Sequence, residues 1–401
     1  MNWEKKKLKD CCISIADGDH QPPPKSENGV PFVTIANIDG NNFDFSNTMF
    51  APETYYNSLD GKRKAQIGDV LYSVVGSFGI PVLIKEAKKF VFQRHIAILR
   101  CNKDVLLPEY LYYTMLTRDF YMKADTVALG AAQRTISLTS LRNLEINVPP
   151  LELQERIVDK VRPYDDLIEN NRRQIKLLEE AAQRLYKEWF VDLRFPGWEN
   201  TPVVDGVPEG WIICTAGDVI DFNPKTPLTK GRIKQSVPMS ALSTSSMVLN
   251  SSEFTMTESN SGAKFRNRDT LLARITPCLE NGKTAFVAGI TSEEGAVGST
   301  EFIVMRAKEI NPYMVYLLAR TEEFRKTAIN SMTGSDGRQR AQVDKIMQFP
   351  YLLAPQSILE AFSLLIEPIF EQVYLKNSQI AWLSQARDRL LPKLMSGELG
   401  V

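Results

Sequence analysis

The fold of this chain is decided by residues 150–187, which read PLELQERIVDKVRPYDDLIENNRRQIKLLEEAAQRLYK, and by residues 355–392, which read PQSILEAFSLLIEPIFEQVYLKNSQIAWLSQARDRLLP. The two stretches align without a gap, 205 positions apart. Matching positions hold the same residue at Glu155 and Glu360, Pro163 and Pro368, Gln174 and Gln379, and Arg184 and Arg389. The chain is therefore a duplicated unit, and each copy ends in a predicted long helix. This organisation indicates two copies of one domain held apart by a spacer.

Apolar side chains recur in steps of four and three residues along both stretches, which is the spacing of a coiled-coil seam. The predicted coiled-coil core comprises Ile168, Asn171, Ile175, Leu178, Leu185, Val373, Lys376, Ile380, Leu383 and Leu390. A polar residue recurs at one seam position, Asn171 in the first helix and Lys376 in the second, and would fix register and orientation. We expect the helices to pack antiparallel about a pseudo-twofold axis, with these two residues close together. Packing of each helix on its own domain alone is the alternative.

A proline lies inside each helical pattern, Pro163 in the first and Pro368 in the second. Proline removes a helical hydrogen bond, so a bend is expected at both places. The remaining helix, over residues 164–190, would be about 40 Å long at about 1.5 Å per residue. That length is comparable with one turn of B-DNA, about 34 Å.

The two globular halves match each other loosely in sequence. Residues 68–72 match residues 268–272, and residues 95–100 match residues 301–306. Short β-branched stretches separated by Gly, Pro and Asn predict strands, and one helix is expected near the end of each half, over residues 108–124 and 312–331. The predicted class is α+β, since no alternating βαβ series builds a parallel sheet.

Four segments follow from this reading. The predicted boundaries are a first globular domain at 1–149, a first spacer helix at 150–190, a connector with a second globular domain at 191–354, and a second spacer helix with the tail at 355–401.

Composition limits the function classes. The formal net charge is zero, with 48 basic and 48 acidic residues, so a strongly basic nucleic-acid protein is disfavoured, although a local basic patch stays compatible. The sequence shows no transmembrane stretch and no signal peptide, which predicts a cytoplasmic protein without membrane contact. Five cysteines without C-x-x-C spacing and only two histidines predict no metal site.

Catalytic motifs are missing from the sequence. There is no glycine-rich turn with an N-P-P-Y loop for methyl transfer, and the sole G-K-T, residues 282–284, has Pro277 where a P-loop needs its first glycine. No G-x-S-x-G elbow or Cys/His pair supports a hydrolase triad. We therefore predict a chain without catalytic residues and without a cofactor of its own.

Polar loops at matching places in the two halves are the candidate DNA contacts. We pair residues 130–134 with residues 334–340, so that Gln133 matches Gln339 and Arg134 matches Arg340. Arg can fork onto guanine and Gln onto adenine, which suits such loops to base reading. The predicted DNA-binding residues are His20, Ser77, Gln133, Arg134, Arg274, Asn281, Lys283, Arg338, Gln339 and Arg340. A solvated turn is the alternative for each.

Several motifs resemble those of one known family, the specificity subunits of Type I restriction-modification enzymes (HsdS). They are VPPLELQERI at 148–157, IENNRRQ at 168–174, LYKEWFVD at 185–192, LLARITPCLENGK at 271–283 and LLPKLMSGEL at 390–399. The similarity extends over the whole chain. Two departures stand out: residues 354–360 read APQSILE in place of a P-P-L-x-x-Q form, and Val74, Val75 and Gly76 stand where the second half has Arg274, Ile275 and Thr276.

The resemblance implies two target recognition domains, each reading one half of a split DNA site, and two antiparallel helices that act as a ruler between them. It further implies that catalysis belongs to partners. These would be two modification subunits that use S-adenosylmethionine and dock on the helices, and restriction subunits that use ATP and magnesium.

Two other functions stay open from the sequence. The coiled coil suits a protein–protein scaffold that never contacts DNA. A stand-alone repressor with two DNA sites is the third possibility, and it would have to bind duplex DNA tightly by itself, which zero net charge disfavours.

Overall fold

The computed structural model describes residues 3–45, 48–76, 78–130, 134–335 and 337–400. Its residues form two compact units. Unit 1 comprises residues 1–167 and 382–401, and unit 2 comprises residues 168–381. Each long helix therefore contributes one part of its length to each unit, and each unit is described separately below.

Unit 1 is a mixed unit of short strands and helices. Its strands are β1 Glu4–Lys7, β2 Cys12–Asp17, β3 Val30–Val33, β4 Ile38–Asp39, β5 Asn42–Phe43, β6 Met49–Ala51, β7 Val70–Ser73, β8 Pro81–Leu83, β9 Val91–Phe92, β10 Ile96–Cys101 and β11 Glu145–Val148. Its helices are α1 Leu8–Cys11, α2 Glu53–Ser58, α3 Pro108–Leu116, α4 Arg118–Val127 and α5 Leu138–Asn143, and α6 Leu151–Tyr186 begins here. The main sheet is antiparallel in the order β2-β10-β7-β8. A smaller sheet has the order β6-β3-β9, and β1 pairs with β11.

Unit 2 repeats this plan. Its strands are β12 Val203–Val204, β13 Val207–Pro208, β14 Ile212–Thr215, β15 Ile220–Phe222, β16 Lys234–Val237, β17 Thr255–Thr257, β18 Ala263–Phe265, β19 Thr270–Ala273, β20 Thr284–Phe286, β21 Ala296–Gly298, β22 Phe302–Ala307 and β23 Pro350–Leu353. Its helices are α7 Ala216–Val219, α8 Pro312–Arg320, α9 Glu322–Asn330 and α10 Val343–Met347, and α11 Gln356–Ser396 begins here. The sheet order β15-β22-β19-β20 matches that of unit 1, and β14 pairs with β23 as β1 pairs with β11. The expected mixed α+β class with a duplicated framework is confirmed.

A buried ion pair recurs in both main sheets. In unit 1, Arg100 forks onto Asp69 with nitrogen–oxygen distances of 2.9 and 2.8 Å. In unit 2, Arg306 forks onto Asp269 at 2.7 Å through both Nε and Nη2. The two aspartates are almost fully buried, and such a charge is tolerated inside a protein only when it is paired and hydrogen-bonded. The pair therefore fixes the same packing of two strands in each unit.

The predicted single helix at the end of each half is wrong, because the structure has two helices there. In unit 1, Thr117 separates α3 from α4, and its Oγ1 accepts a hydrogen bond from Phe120 N at 3.2 Å. In unit 2, Thr321 separates α8 from α9 and caps Phe324 N at 3.4 Å. A threonine that caps the next helix satisfies an otherwise free N–H, and this favours a break over a continuous helix.

Within unit 1 the long helices run antiparallel. Leu153, near the start of α6, lines the same small pocket as Gly397, which lies just beyond the end of α11. Further along, Asp165 of α6 and Arg387 of α11 form an ion pair at 2.6 Å. The two contacts occur in opposite order along the two helices, which fixes the antiparallel direction.

Within unit 2 the long helices meet through aromatic side chains. Phe362 of α11 lies with its ring centroid 6.2 Å from Tyr186, 5.5 Å from Trp189 and 4.8 Å from Phe190. The last two residues belong to a π-helical turn, Lys187–Val191, that follows α6. Aromatic pairs at these separations stabilise packing beyond the area they bury.

The prolines expected to bend the helices lie inside uninterrupted helical segments. Pro163 lies within the 36 residues of α6, and Pro368 lies within the 41 residues of α11. Among the predicted seam residues, Ile168, Asn171, Ile175 and Val373 are buried and the other six are half-buried. Direct contact between Asn171 and Lys376 stays a prediction.

Candidate nucleic-acid interface

Two loops meet at the same edge of the main sheet in each unit. In unit 2, Thr276 N donates to Gln339 O at 3.1 Å, and Ala341 N donates to Arg274 O at 2.8 Å. In unit 1, Gly76 N donates to Arg134 O at 3.1 Å, and Ile136 N donates to Val74 O at 2.8 Å. The structure therefore brings Arg274, Gln339 and Arg340 together in unit 2.

The structure pairs the residues of these loops one position away from the pairing predicted from the sequence. Because Arg134 O and Gln339 O accept equivalent hydrogen bonds, Arg134 matches Gln339. Thr135 then matches Arg340, and both residues bridge to the strand-end loop, Thr135 to Val75 and Arg340 to Ile275. The pairing of Arg134 with Arg340 is therefore wrong, since a gap in the loop is not visible from side-chain identity. Gln133 lies outside the described residues.

Arg340 is held by an acidic neighbour. Its Nε lies 3.1 and 3.0 Å from the two carboxylate oxygens of Glu301, and its Nη2 lies 2.8 Å from Oε1. The hydrogen bonds from Arg340 lower the pKa of the Glu301 carboxyl, and the same contact raises the pKa of Arg340. Side-chain exposure is 43% for Arg340 and 23% for Glu301, so the pair lies at the surface with its guanidinium accessible.

The loop between β19 and β20 carries three further predicted residues. Lys283 Nζ donates to Met239 O at 3.0 Å, and Asn281 is exposed. Gly282 has φ +81°, and a Cβ there would lie 3.0 Å from an Arg325 nitrogen, so a glycine is needed at this position. Arg274 lines a neighbouring cleft of about 780 Å³.

That cleft is lined by basic, polar and apolar residues. The charge comes from Lys225, Lys264 and Arg274. The cleft is also lined by the buried residues Phe302 and Val304. Asp and Glu do not occur among the lining residues that the structure describes. The local charge is therefore positive although the chain is neutral, which suits contact with a polyanion.

The predicted residues of unit 1 have acidic partners. His20 Nε2 lies 3.0 Å from Asp17 Oδ2, at the end of β2. Arg134 Nη2 lies 2.7 Å from Asp125 Oδ1, and it also donates to the carbonyl oxygen of Asp125. Ser77 lies outside the described residues, and Arg338 of unit 2 is exposed.

Neither a metal-binding cluster nor a membrane-spanning helix occurs in the described part of the chain. Its residues contain no cluster of three or more His, Cys, Asp or Glu residues placed to hold a metal ion. No helix in this part of the chain is both long and apolar enough to cross a membrane.

Comparison with known proteins shows what the chain is similar to. Residues 1–180 match the family model for the Type I restriction modification DNA specificity domain. The MjaIX specificity subunit of Methanocaldococcus jannaschii is 27% identical over 317 residues, which cover 75% of this chain and 71% of that protein. The chain is therefore similar to Type I specificity subunits over most of its length. The HindI specificity subunit of Haemophilus influenzae is 28% identical over 170 residues, 41% of this chain and 36% of its own length.

A solved structure supports the fold of the Type I specificity-subunit family for the whole chain. The crystal structure of the Type-I restriction-modification system S subunit from M. genitalium superposes with a TM-score of 0.54 at 14% identity. The match covers 98% of this chain and 96% of that one. The fold implied by the resemblance in the sequence motifs is thereby confirmed.

One residue at the place where the two loops of unit 2 meet, Glu301, is not among the residues predicted from the sequence. The available signal was its alignment with His95 at the same place before the matching strands β22 and β10. Its partner Arg340 lies 39 positions away in sequence, so the contact itself is visible only in the structure.

Proposed function

We propose that this specificity subunit reads a bipartite, asymmetric DNA site, with one recognition domain on each half. The observation that carries the proposal is that the two units share one framework but carry different side chains where the two loops meet at the edge of the main sheet. Where unit 1 has Val74, His95 and Thr135, unit 2 has Arg274, Glu301 and Arg340. A shared framework supports a common mode of approach to DNA, whereas the exchanged side chains support a different base sequence for each half.

The side chains at the loop edge have the chemistry for base reading. An arginine can fork onto guanine O6 and N7, and a glutamine can pair with adenine N6 and N7. Unit 2 places Gln339 and Arg340 next to each other on one loop, and the cleft beside Arg274 supplies positive charge for phosphates. The DNA-binding roles of the ten predicted residues belong to this proposal.

The long helices would set the spacer and dock the two modification subunits. In unit 1, Trp382 is 66% exposed, and in unit 2, Leu364 is 78% exposed. Tryptophan is enriched among the residues that dominate protein–protein interfaces, so exposed Trp382 supports a docking role for the helices. The domain boundaries at 149, 190 and 354 belong to the same proposal.

Catalysis would lie in the partner subunits. Methyl transfer from S-adenosylmethionine would belong to the modification subunits, and ATP- and magnesium-dependent cleavage to the restriction subunits. The specificity subunit would supply target choice alone, consistent with a cytoplasmic complex on double-stranded DNA.

The test is methylation of a randomised DNA library by the full chain assembled with its modification subunits, followed by sequencing of the methylated sites. The expected result is one motif made of two specified halves and an unspecified spacer. Exchange of residues 1–149 for the matching domain of another specificity subunit should change one half and leave the other. A complex that assembles but methylates without sequence preference would favour a scaffold, and tight DNA binding by the chain alone would favour a repressor.

A further inference from the structure

We propose that Glu301 is a positioning residue for base recognition in unit 2: it holds the guanidinium of Arg340 so that one edge faces the DNA. This inference rests on the proposed half-site reading by unit 2. It assigns to an acidic residue a part in DNA recognition that its charge alone would oppose.

Glu301 occupies only one edge of the Arg340 guanidinium. Glu301 binds Arg340 through Nε and Nη2, at distances between 2.8 and 3.1 Å. Those two nitrogens form the side edge of the planar group. A guanidinium has five N–H donors in a fixed plane, so Nη1 and the second hydrogen of Nη2 are left on the end edge. Two parallel N–H donors of this kind match guanine O6 and N7.

The backbones of both Arg340 and Glu301 are held by hydrogen bonds. Arg340 N donates to Thr333 O at 2.9 Å, and Thr333 N donates back to Arg340 O at 3.1 Å. Glu301 is tied to the sheet edge, since its carbonyl oxygen accepts from Arg274 N at 2.9 Å. With the backbone held at both residues, the carboxylate fixes the end of an otherwise mobile side chain. A donor fixed before binding loses less rotamer freedom when it meets a base.

The negative charge of Glu301 does not favour contact with DNA by itself. A carboxylate near DNA repels phosphates, so backbone attraction does not explain Glu301 at this place. Unit 1 has His95 and Thr135 at the two equivalent positions, so the device belongs to unit 2 alone. The inference therefore concerns one half-site only.

The experiment compares Glu301→Gln with the unchanged chain, each assembled with the modification subunits and assayed on the randomised library. We expect discrimination at one base pair of one half-site to fall about three- to tenfold, the effect of releasing one long side chain. The other half-site should be unchanged, and total DNA binding should be equal or stronger because a negative charge is removed.

A double variant separates positioning from direct reading. In an Arg340→Ala background, Glu301→Gln should cause no further change in the motif, because a residue that acts through another is silent without it. Glu294→Gln is the matched control, since Glu294 pairs with Arg232 at 2.7 Å elsewhere in unit 2 and its loss should leave the motif intact.

The outcomes are distinguishable. A uniform loss of methylation at all positions, or a second change in the Arg340→Ala background, would overturn the positioning role. An unchanged motif in Glu301→Gln would overturn this inference while the proposed function stands. A wild-type complex without a bipartite motif would overturn both.

Discussion

Replacement of Gln154 by leucine should destabilise unit 1 by about 2–4 kcal/mol. Gln154 is 0% exposed and bonds three backbone groups: its Oε1 accepts from Leu107 N at 2.9 Å, and its Nε2 donates to Val105 O at 2.9 Å and Pro149 O at 2.8 Å. Leucine has nearly the same volume, so the main loss is these bonds, each worth about 1 kcal/mol net and more when a buried group is left unpaired.

Unit 2 has an apolar residue at the position that matches Gln154. The spacing of 205 positions places Leu359 where unit 1 has Gln154. There Asn311 caps its own helix, since its Oδ1 accepts from Met314 N at 2.8 Å. Unit 1 has Leu107 in place of that asparagine, and Gln154 accepts from the Leu107 amide.

The assay is urea unfolding of the full chain, combined with hydrogen exchange of the Leu107 amide. Exchange at that amide should speed up in Gln154→Leu because its only acceptor among the described residues is removed. Gln21→Leu is the control, since Gln21 is exposed in the same unit and its replacement should change stability by less than about 0.5 kcal/mol. Equal stability and equal exchange in the two variants would refute the reasoning.

Four further outcomes are expected. Arg306→Ala should destabilise unit 2 by about 3–5 kcal/mol in denaturant unfolding, because Asp269 would be left buried and unpaired. Burial raises the pKa of the Glu179 carboxyl, so its contribution to stability is fully present at acid pH and is lost as pH rises through the folded pKa; Glu179→Gln should flatten that pH profile of unfolding. Arg340→Ala should relax base choice at one position of the methylated motif by about 5- to 150-fold. Deleting seven residues from each long helix removes about 10 Å and should shorten the spacer by about three base pairs or abolish methylation, whereas an active enzyme with the old spacing would contradict the ruler.

Glu179 illustrates how a helix residue can anchor a distant loop. Its Oε1 accepts from Ser246 Oγ at 2.9 Å and from Met247 N at 2.8 Å, all within unit 2. The side chain is almost fully buried, and desolvation outweighs these hydrogen bonds in its effect on the pKa. The carboxyl therefore links α6 to a loop of the recognition domain at some expense in stability at neutral pH.

The sequence predicted those features that depend on neighbours along the chain. Helical periodicity is local, so the two long helices were visible from their apolar spacing. The repeated Asp69–Arg100 and Asp269–Arg306 pairs lie in stretches that match in sequence, although the ion pairs themselves appeared only in the structure. The helix breaks were missed because a threonine cap at Thr117 depends on one side-chain hydrogen bond that periodicity does not report.

The amino-acid sequence by itself determined the duplication, the mixed class and the resemblance to Type I specificity subunits, since each depends on residue order and spacing. Only the tertiary structure decided that Thr135 is the equivalent of Arg340, that Glu301 holds that arginine, and that Gln154 bonds Leu107 N and Val105 O. The physical reason is that these contacts join residues 39 or more positions apart, or depend on backbone hydrogen bonds between loops. Such contacts form only when the sheet brings the loops together, and no local pattern in the chain encodes them.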